Sequence, residues 1–274
     1  MKQIICDEIS RFVLEDAGNR FPETGHPFFD DPLLGFAAAD DPLFAAYKSI
    51  IGAFHLTPFE LASAAGGARS WTPRTVICWV LPISEATRQS NRGETVYPSR
   101  DWARTRNYGE IFNVSLRRHL VQYLSDAGFR AFAPQLHPAW REYPDSPVGL
   151  ASSWSERHAA YAAGLGTFSL NDALITPRGI AHRLGSVITD LEIEPSPRPY
   201  PSHLSNCLYH RNGSCGVCIG RCPVGALSTS GHDKPPCREH VYGTIPKAVG
   251  ELFKVASTGC GLCQTGVPCE SRIP

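Results

Sequence analysis

This chain has no excess of either charge, no long apolar run and no apolar leader, and each absence removes a class of function. Its 26 lysines and arginines are matched by 26 aspartates and glutamates. The broad positive field with which proteins grip a phosphate backbone is therefore missing, and a nucleic acid is not the expected partner. No stretch approaches the roughly 18 to 20 apolar residues that a membrane-crossing helix needs. The first residues hold no uninterrupted apolar segment of the kind that directs export. The expectation is a cytoplasmic protein without a membrane partner, in a reducing compartment where a disulfide framework is disfavoured.

What the chain does have is cysteine, and nearly all of it in one place. Eight of its ten cysteines fall between Cys207 and Cys269. They read Cys207-x7-Cys215-x2-Cys218-x3-Cys222-Pro223, then Cys237, then Cys260-x2-Cys263-x5-Cys269. That is enough for two four-cysteine metal sites. Tetrahedral zinc also uses C-x2-C pairs, but usually as two clean pairs per site. Here a third cysteine follows each pair and the first run ends in Cys-Pro, so two [4Fe-4S] clusters are the preferred reading and zinc the alternative. In two-cluster ferredoxins the cysteine before proline ligates the other cluster. By that rule Cys207, Cys215, Cys218 and Cys269 form one ligand set, and Cys222, Cys237, Cys260 and Cys263 the second. Cys6 and Cys78 lie far from this run and read as small buried hydrophobes.

With 274 residues the chain can bury a sizeable core outside the cysteine region. Ile5, Ile9, Phe12 and Val13 recur at helical spacing, with Gly18 as a stop. Asp30-Asp31-Pro32-Leu33, Asp40-Asp41-Pro42-Leu43 and Thr57-Pro58-Phe59-Glu60 each predict a helix start, the last leading to Gly66-Gly67. Thr75 to Leu81 is a continuous apolar run of strand type between Pro73 and Pro82. Residues 83 to 107, with Arg88, Arg92, Arg100, Arg104 and Arg106, read either as a solvated loop or as a cationic rim for an anion. An amphipathic helix is predicted over 108 to 126 through Ile111, Phe112, Leu116, Leu120, Tyr123 and Leu124, ended by Gly128. Ser155-Glu156-Arg157-His158 opens an alanine-rich helix that closes at Gly164-Leu165-Gly166, and Leu184 to Thr189 reads as a strand. Pro195, Pro197, Pro199 and Pro201 mark a linker. It separates an expected domain over 1–192 from one over 203–274.

Ser155-Glu156-Arg157, Ala163-Gly164-Leu165-Gly166, Leu184-Gly185-Ser186-Val187-Ile188-Thr189-Asp190 and the double cysteine run together resemble the core of the epoxyqueuosine reductases and their relatives, the reductive dehalogenases. Tyr108 after Arg104 and Arg106 resembles the arginine-tyrosine segment of those reductases, and Asn171 is kept from the stretch after the glycine pair. The similarity covers roughly residues 70 to 270. It implies a nitroreductase-like α/β (α+β) domain followed by a ferredoxin-like domain with two [4Fe-4S] clusters, and a corrinoid, cobalamin, as a further cofactor to test. On that resemblance Gly164, Gly166, Asn171, Arg104 and Tyr108 are the candidate cofactor-binding residues. The helical repeats that follow the clusters in those reductases have no counterpart here.

If two clusters feed a site, a proton donor is required as electrons arrive. The candidates are Glu156, His158 and Tyr161 on the helix before the glycine pair, with His182 ahead of the strand, and Arg183 to hold an anionic group. Two function classes follow. One is a reductase acting on a small molecule and fed by an external low-potential donor of ferredoxin or flavodoxin type. The other is an electron-transfer or corrinoid-reducing partner with no substrate chemistry of its own. A pocket between Glu156 and Asn171, beside a cluster, favours the enzyme.

Overall fold

The computed structural model describes residues 1–64 and 71–274, and the expected glycine pair Gly66-Gly67 lies outside them. Helix α1 (Lys2–Glu15) buries Ile5, Ile9 and Val13 along one stripe. Strand β1 (Leu33–Ala38), α2 (Pro42–Ile50) and α3 (Pro58–Ala64) follow. Two of the three proline starts open helices. Asp41 Oδ1 accepts from the Leu43 N–H at 3.0 Å, and Thr57 and Glu60 form a reciprocal capping box at 2.8 and 3.2 Å. Pro32 leads instead into β1, because Leu33 pairs with Val80 of strand β2 (Thr75–Pro82). A proline is tolerated just ahead of an edge strand, where no ladder N–H is lost.

Residues 83–107, one reading of which was a loop, form α4 (Glu85–Arg92) and the first turns of α5 (Arg100–Asp126). Helix α4 escapes a search for apolar periodicity because its buried side chains are Thr87, Arg88 and Asn91. Ser99 starts α5 by accepting from the Trp102 N–H at 3.1 Å. Along α5, Phe112, Leu116, Leu120 and Leu124 are buried, whereas Ile111 is 60% exposed. At about 100° per residue it has rotated off the stripe that Phe112 begins. Next come β3 (Ala131–Phe132), the hairpin of β4 (Glu142–Ser146) and β5 (Gly149–Ser152), and α6 (Glu156–Ala162). The hairpin of β6 (Thr167–Phe168) and β7 (Leu174–Ile175) leads to β8 (His182–Thr189).

The main sheet has the order β1-β2-β8-β3 with every pairing antiparallel. All of β2 is buried, and its side chains alternate between two layers. Ile77, Trp79 and Leu81 pack with residues of α1 and α5. Val76, Cys78 and Val80 pack with residues of α2 and α6. The run lacks period two because both faces are covered. Trp79 stands opposite Gly185 of β8, where a Cβ would lie 2.4 Å from the indole, so only glycine leaves room for it. Its Nε1–H donates to Asn113 Oδ1 at 2.9 Å.

The proline-rich stretch 192–203 carries no helix or strand. Beyond it are α7 (Leu208–Asn212), α8 (Val217–Gly220), the hairpin of β9 (Leu227–Ser228) and β10 (Gly231–His232), and α9 (Lys234–Glu239). Helix α9 runs through two π turns, His240–Thr244 and Pro246–Gly250, into α10 (Glu251–Phe253). Two charged side chains fasten this part of the chain to α4. Arg221 donates to the carbonyls of Asn91, Arg92 and Glu94 at 3.0 to 3.2 Å. Glu270, almost wholly buried, takes the Arg92 guanidinium at 2.6 to 3.0 Å and the Gly266 N–H at 2.6 Å. No helix among the described residues is long and apolar enough to cross a membrane.

Candidate metal centre and adjoining cavity

The chain folds its eight clustered cysteines around two separate spaces. Cys207, Cys215, Cys218 and Cys269 line a small cavity walled by Leu170, Ile175, Ile180 and Val267. Cys222, Cys237, Cys260 and Cys263 line a second, much larger one of about 460 Å³. Cys222 is thus turned away from Cys215 and Cys218, its neighbours in sequence. The two spaces adjoin, for Asn171 lines both and its Nδ2–H donates to the Cys263 carbonyl at 2.9 Å. Cys6 and Cys78 take no part; Cys78 is fully buried in the sheet and Cys6 half-buried against it.

The donor set suits a polynuclear centre. Burial, then the nearness of the other thiols in each set, raises Cys218 to about 11 and Cys269 to about 12. Burial likewise raises Cys260 to about 11 and pushes Cys263 up. Four such sulfurs become thiolates together only around a cationic core. Among the described residues no three His, Cys, Asp or Glu side chains converge on the point that a single ion would occupy. Each set lines a cavity instead. The Ala226 N–H donates to Cys222 Sγ at 3.2 Å and fixes that sulfur.

The larger cavity is lined by charged as well as apolar groups, with Arg106 from α5, Glu156 and Arg157 from α6, and His182 and Arg183 from β8. Glu156 occupies the first turn of α6. Ser186 donates to its Oε2 at 2.6 Å, and Trp154 Nε1–H donates to Ser186 Oγ at 3.0 Å. Its Oε1 is buried with no hydrogen-bond partner, Arg117 being the nearest cation at 3.6 Å. Burial raises the Glu156 pKa against the pull of Arg117. Glu110 is the reverse case. Burial opposes its ionisation, but Arg183 at 2.6 Å and Arg117 at 3.0 Å hold it down at about 2. His182 donates its Nε2–H to the Leu174 carbonyl at 2.8 Å, burial lowers its pKa to about 4, and its Nδ1 is left without a partner.

The other candidate residues lie elsewhere. His158 and Tyr161 are not among the residues lining this cavity. The His158 ring packs 4.8 Å from Tyr47 and 4.7 Å from Phe168, and burial takes its pKa down to about 3. Tyr161 sits 5.8 Å from Phe168. The two glycines serve chain packing, since a Cβ on Gly164 would meet the Pro197 carbonyl at 2.2 Å and one on Gly166 the Ile175 carbonyl at 2.4 Å. Arg104 donates to Glu23 at 2.8 Å, and Tyr108 donates to the Lys254 carbonyl at 2.7 Å, so both brace α5 outside the cavity. The cationic-rim reading of 83–107 narrows to Arg106 alone, because Arg88 and Arg92 are held by Glu85 and Glu270. Sequence reasoning passed over His232 and Tyr242, which also line the space. Their position five residues either side of Cys237 was the available signal. His232 Nδ1 lies 3.0 Å from Asp172 Oδ2.

No family model matches this chain. In sequence it is 32% identical over 119 residues to an epoxyqueuosine reductase of Bacillus anthracis, a match covering 42% of this chain and 29% of that protein. In fold it resembles a solved epoxyqueuosine reductase at a TM-score of 0.56 and 18% identity, over 98% of this chain and 65% of the other. The epoxyqueuosine reductase of Streptococcus thermophilus gives 0.54 and 16%, over 98% and 66%. A catabolic reductive dehalogenase gives 0.51 and 15%, over 99% of this chain and 36% of that one. The chain therefore shares the mixed α/β fold of these two groups of enzymes and spans about two thirds of the length of the solved epoxyqueuosine reductases.

Proposed function

We propose that this chain is an iron-sulfur reductase in which two [4Fe-4S] clusters pass electrons to a small organic molecule held in the cavity beside Glu156. The observation that carries the reading is that four cysteine thiols and a buried carboxyl group with an unpartnered oxygen line one cavity. A molecule bound there would have its electron source and its proton source in the same walls. Cys207, Cys215, Cys218 and Cys269 would hold one cluster, and Cys222, Cys237, Cys260 and Cys263 the other. When bound, the clusters supply electrons one at a time from a low-potential ferredoxin- or flavodoxin-type donor.

The chain's own task is to orient the molecule and move the proton. Glu156 is suited to hold that proton, because burial favours its neutral form and Ser186 occupies Oε2. His182 does not compete, since its N–H is committed to the Leu174 carbonyl and it stays neutral. Trp102 and Trp154, both nearly buried, keep part of the wall apolar. Room beside the cysteines favours this reading over an electron carrier without substrate chemistry.

The likeness to epoxyqueuosine reductases and reductive dehalogenases supports reduction as the chemistry and leaves the substrate open, because one fold hosts different reactions. A corrinoid would have to share this same cavity. Its volume of about 460 Å³, which includes the room for one cluster, suits a drug-sized ligand more than a whole corrinoid. Anaerobic reconstitution tests the reading: about eight iron and eight sulfide per chain are expected from two four-iron clusters, and preferential uptake of zinc would overturn it.

A further inference from the structure

Three guanidiniums and a single carboxyl group, that of Glu156, line the larger cavity beside its four cysteines. Arg106, Arg157 and Arg183 reach it from α5, α6 and β8. Of the three, Arg183 has a carboxylate, donating from Nε and Nη2 to Glu110 Oε2 at 2.9 and 2.6 Å. Glu110 must serve Arg117 as well, so one negative charge stands between two guanidiniums. Arg157 donates to the backbone carbonyl of Asp172 at 2.7 Å, while the Asp172 carboxylate is engaged by His232. Among the described residues neither Arg106 nor Arg157 has a carboxylate within ion-pair distance. The charge of Arg183, then burial, lowers the Arg106 pKa to about 10, while Glu110 and the Tyr242 hydroxyl pull it the other way. Arg157 is exposed and Arg106 and Arg183 are half-buried, and like charges gathered in such a wall repel one another until an anion joins them.

Two further atoms point the same way. Glu156 Oε1 and His182 Nδ1 are buried without a hydrogen-bond partner, Oε1 lying 3.6 Å from Arg117 Nη2, and both residues line the cavity. A polar ligand beside the arginines would give them one once a side-chain rotation opens them, since both atoms are closed to solvent.

We propose that Arg106, Arg157 and Arg183 form a subsite for the carboxylate of a small organic anion, whose remaining part lies toward Glu156 and the Cys222, Cys237, Cys260 and Cys263 thiols. Guanidinium groups suit this because their planar fork takes a carboxylate through two parallel hydrogen bonds. The reducible nature of the ligand rests on the reductase reading above; the anion subsite does not. A phosphate group, whether free or on a corrinoid, offers related oxyanion chemistry and is separated from a carboxylate by the choice of probe.

The test is anaerobic calorimetry on the reconstituted protein with benzoate, its neutral amide benzamide, inorganic phosphate and cobalamin. Benzoate is expected to bind at least tenfold more tightly than benzamide, and Arg106→Gln to remove that preference while iron content and the reduced-cluster EPR signal stay unchanged. Arg106→Lys, which keeps the charge but loses the fork, is expected to recover part of it. Equal binding of benzoate and benzamide, or full benzoate affinity in Arg106→Gln, would overturn the subsite. Binding of phosphate or cobalamin with none of benzoate would overturn the carboxylate assignment. Failure to load iron would strike the reductase reading instead, and benzoate selectivity measured on that iron-free protein would still support the subsite.

Discussion

The two cysteine sets are chemically alike and differently housed. Around Cys207, Cys215, Cys218 and Cys269 the walls are aliphatic and the space is small. Around Cys222, Cys237, Cys260 and Cys263 the walls are arginine, glutamate, histidine and tryptophan, and the space continues into a cavity of about 460 Å³. A centre held in a small, mainly apolar space is suited to passing electrons on. One that opens on titratable groups is suited to spending them on a bound molecule. On the proposed function, the difference would make the Cys207 set the relay and the Cys222 set the terminus.

The strongest way to break that order is to remove one set at a time. Cys222→Ser is expected to abolish reductase activity and to lower iron from about eight to about four per chain, leaving the spectrum of the other cluster in place. If the ligand sets are not crossed, the variant would instead damage the centre that Cys215 and Cys218 share, and iron-resolved EPR distinguishes the two. Glu156→Gln comes next. It keeps the shape and both metal centres but cannot give up a proton, so turnover should fall about 10²- to 10⁴-fold. The raised pKa of Glu156 sets the sign of its pH profile. The protonated form is the active one, so wild-type rate should decline as pH rises through that pKa, and this limb should vanish in Glu156→Gln.

Glu110→Gln sharpens the comparison through stability. Glu110 is bound by Arg117 and Arg183 behind the cavity, and removing its charge leaves two guanidiniums facing one another. Breaking a buried ion pair from one side costs about 3–5 kcal/mol, measurable by denaturant titration. Its depressed folded pKa of about 2 means that the wild-type contribution is present at neutral pH and is lost as pH falls from the ordinary carboxylate range toward 2. The variant should show a flatter acid limb.

The legible parts of the molecule were those whose chemistry is local in sequence. The spacing of the cysteines, the caps at Asp41 and Thr57 and the apolar strand Thr75–Pro82 each follow from neighbouring residues, so they could be read before any fold was known. Pro32 misled because the same residue that starts a helix also precedes an edge strand, and only the pairing of Leu33 with Val80 decides between them. Helix α4 was illegible because its buried inner face is polar, and the partners of that face, Glu270 for Arg88 and Thr265 for Asn91, lie near the other end of the chain. The site divided in the same way. Glu156 and Asn171 were named from sequence and do line the cavity, yet nothing local distinguishes Glu156 from His158 two residues on. Which face of α6 meets the cavity depends on Ser186 of β8 and Tyr47 of α2, both far away in sequence. Arg106 and Arg104 pose the same problem on α5.

That last pair supplies the smallest effect. Arg104 and Arg106 are two residues apart on one helix, so they point to different sides of it. Arg104 reaches Glu23, a residue 54% exposed at its side chain, and lies over the ring of Tyr108. A pair with one partner in solvent is worth at most about 1 kcal/mol. Arg104→Gln should therefore lower the melting temperature by no more than about 2–4 °C and leave turnover and anion binding within twofold of wild type. Arg106→Gln, two residues along, should do the opposite, with benzoate selectivity lost and the melting temperature maintained or raised as a repelling charge is relieved. Equal effects of the two substitutions on anion binding would mean that the cavity feels only the net charge of α5, and the assignment of Arg106 to the cavity wall would fall.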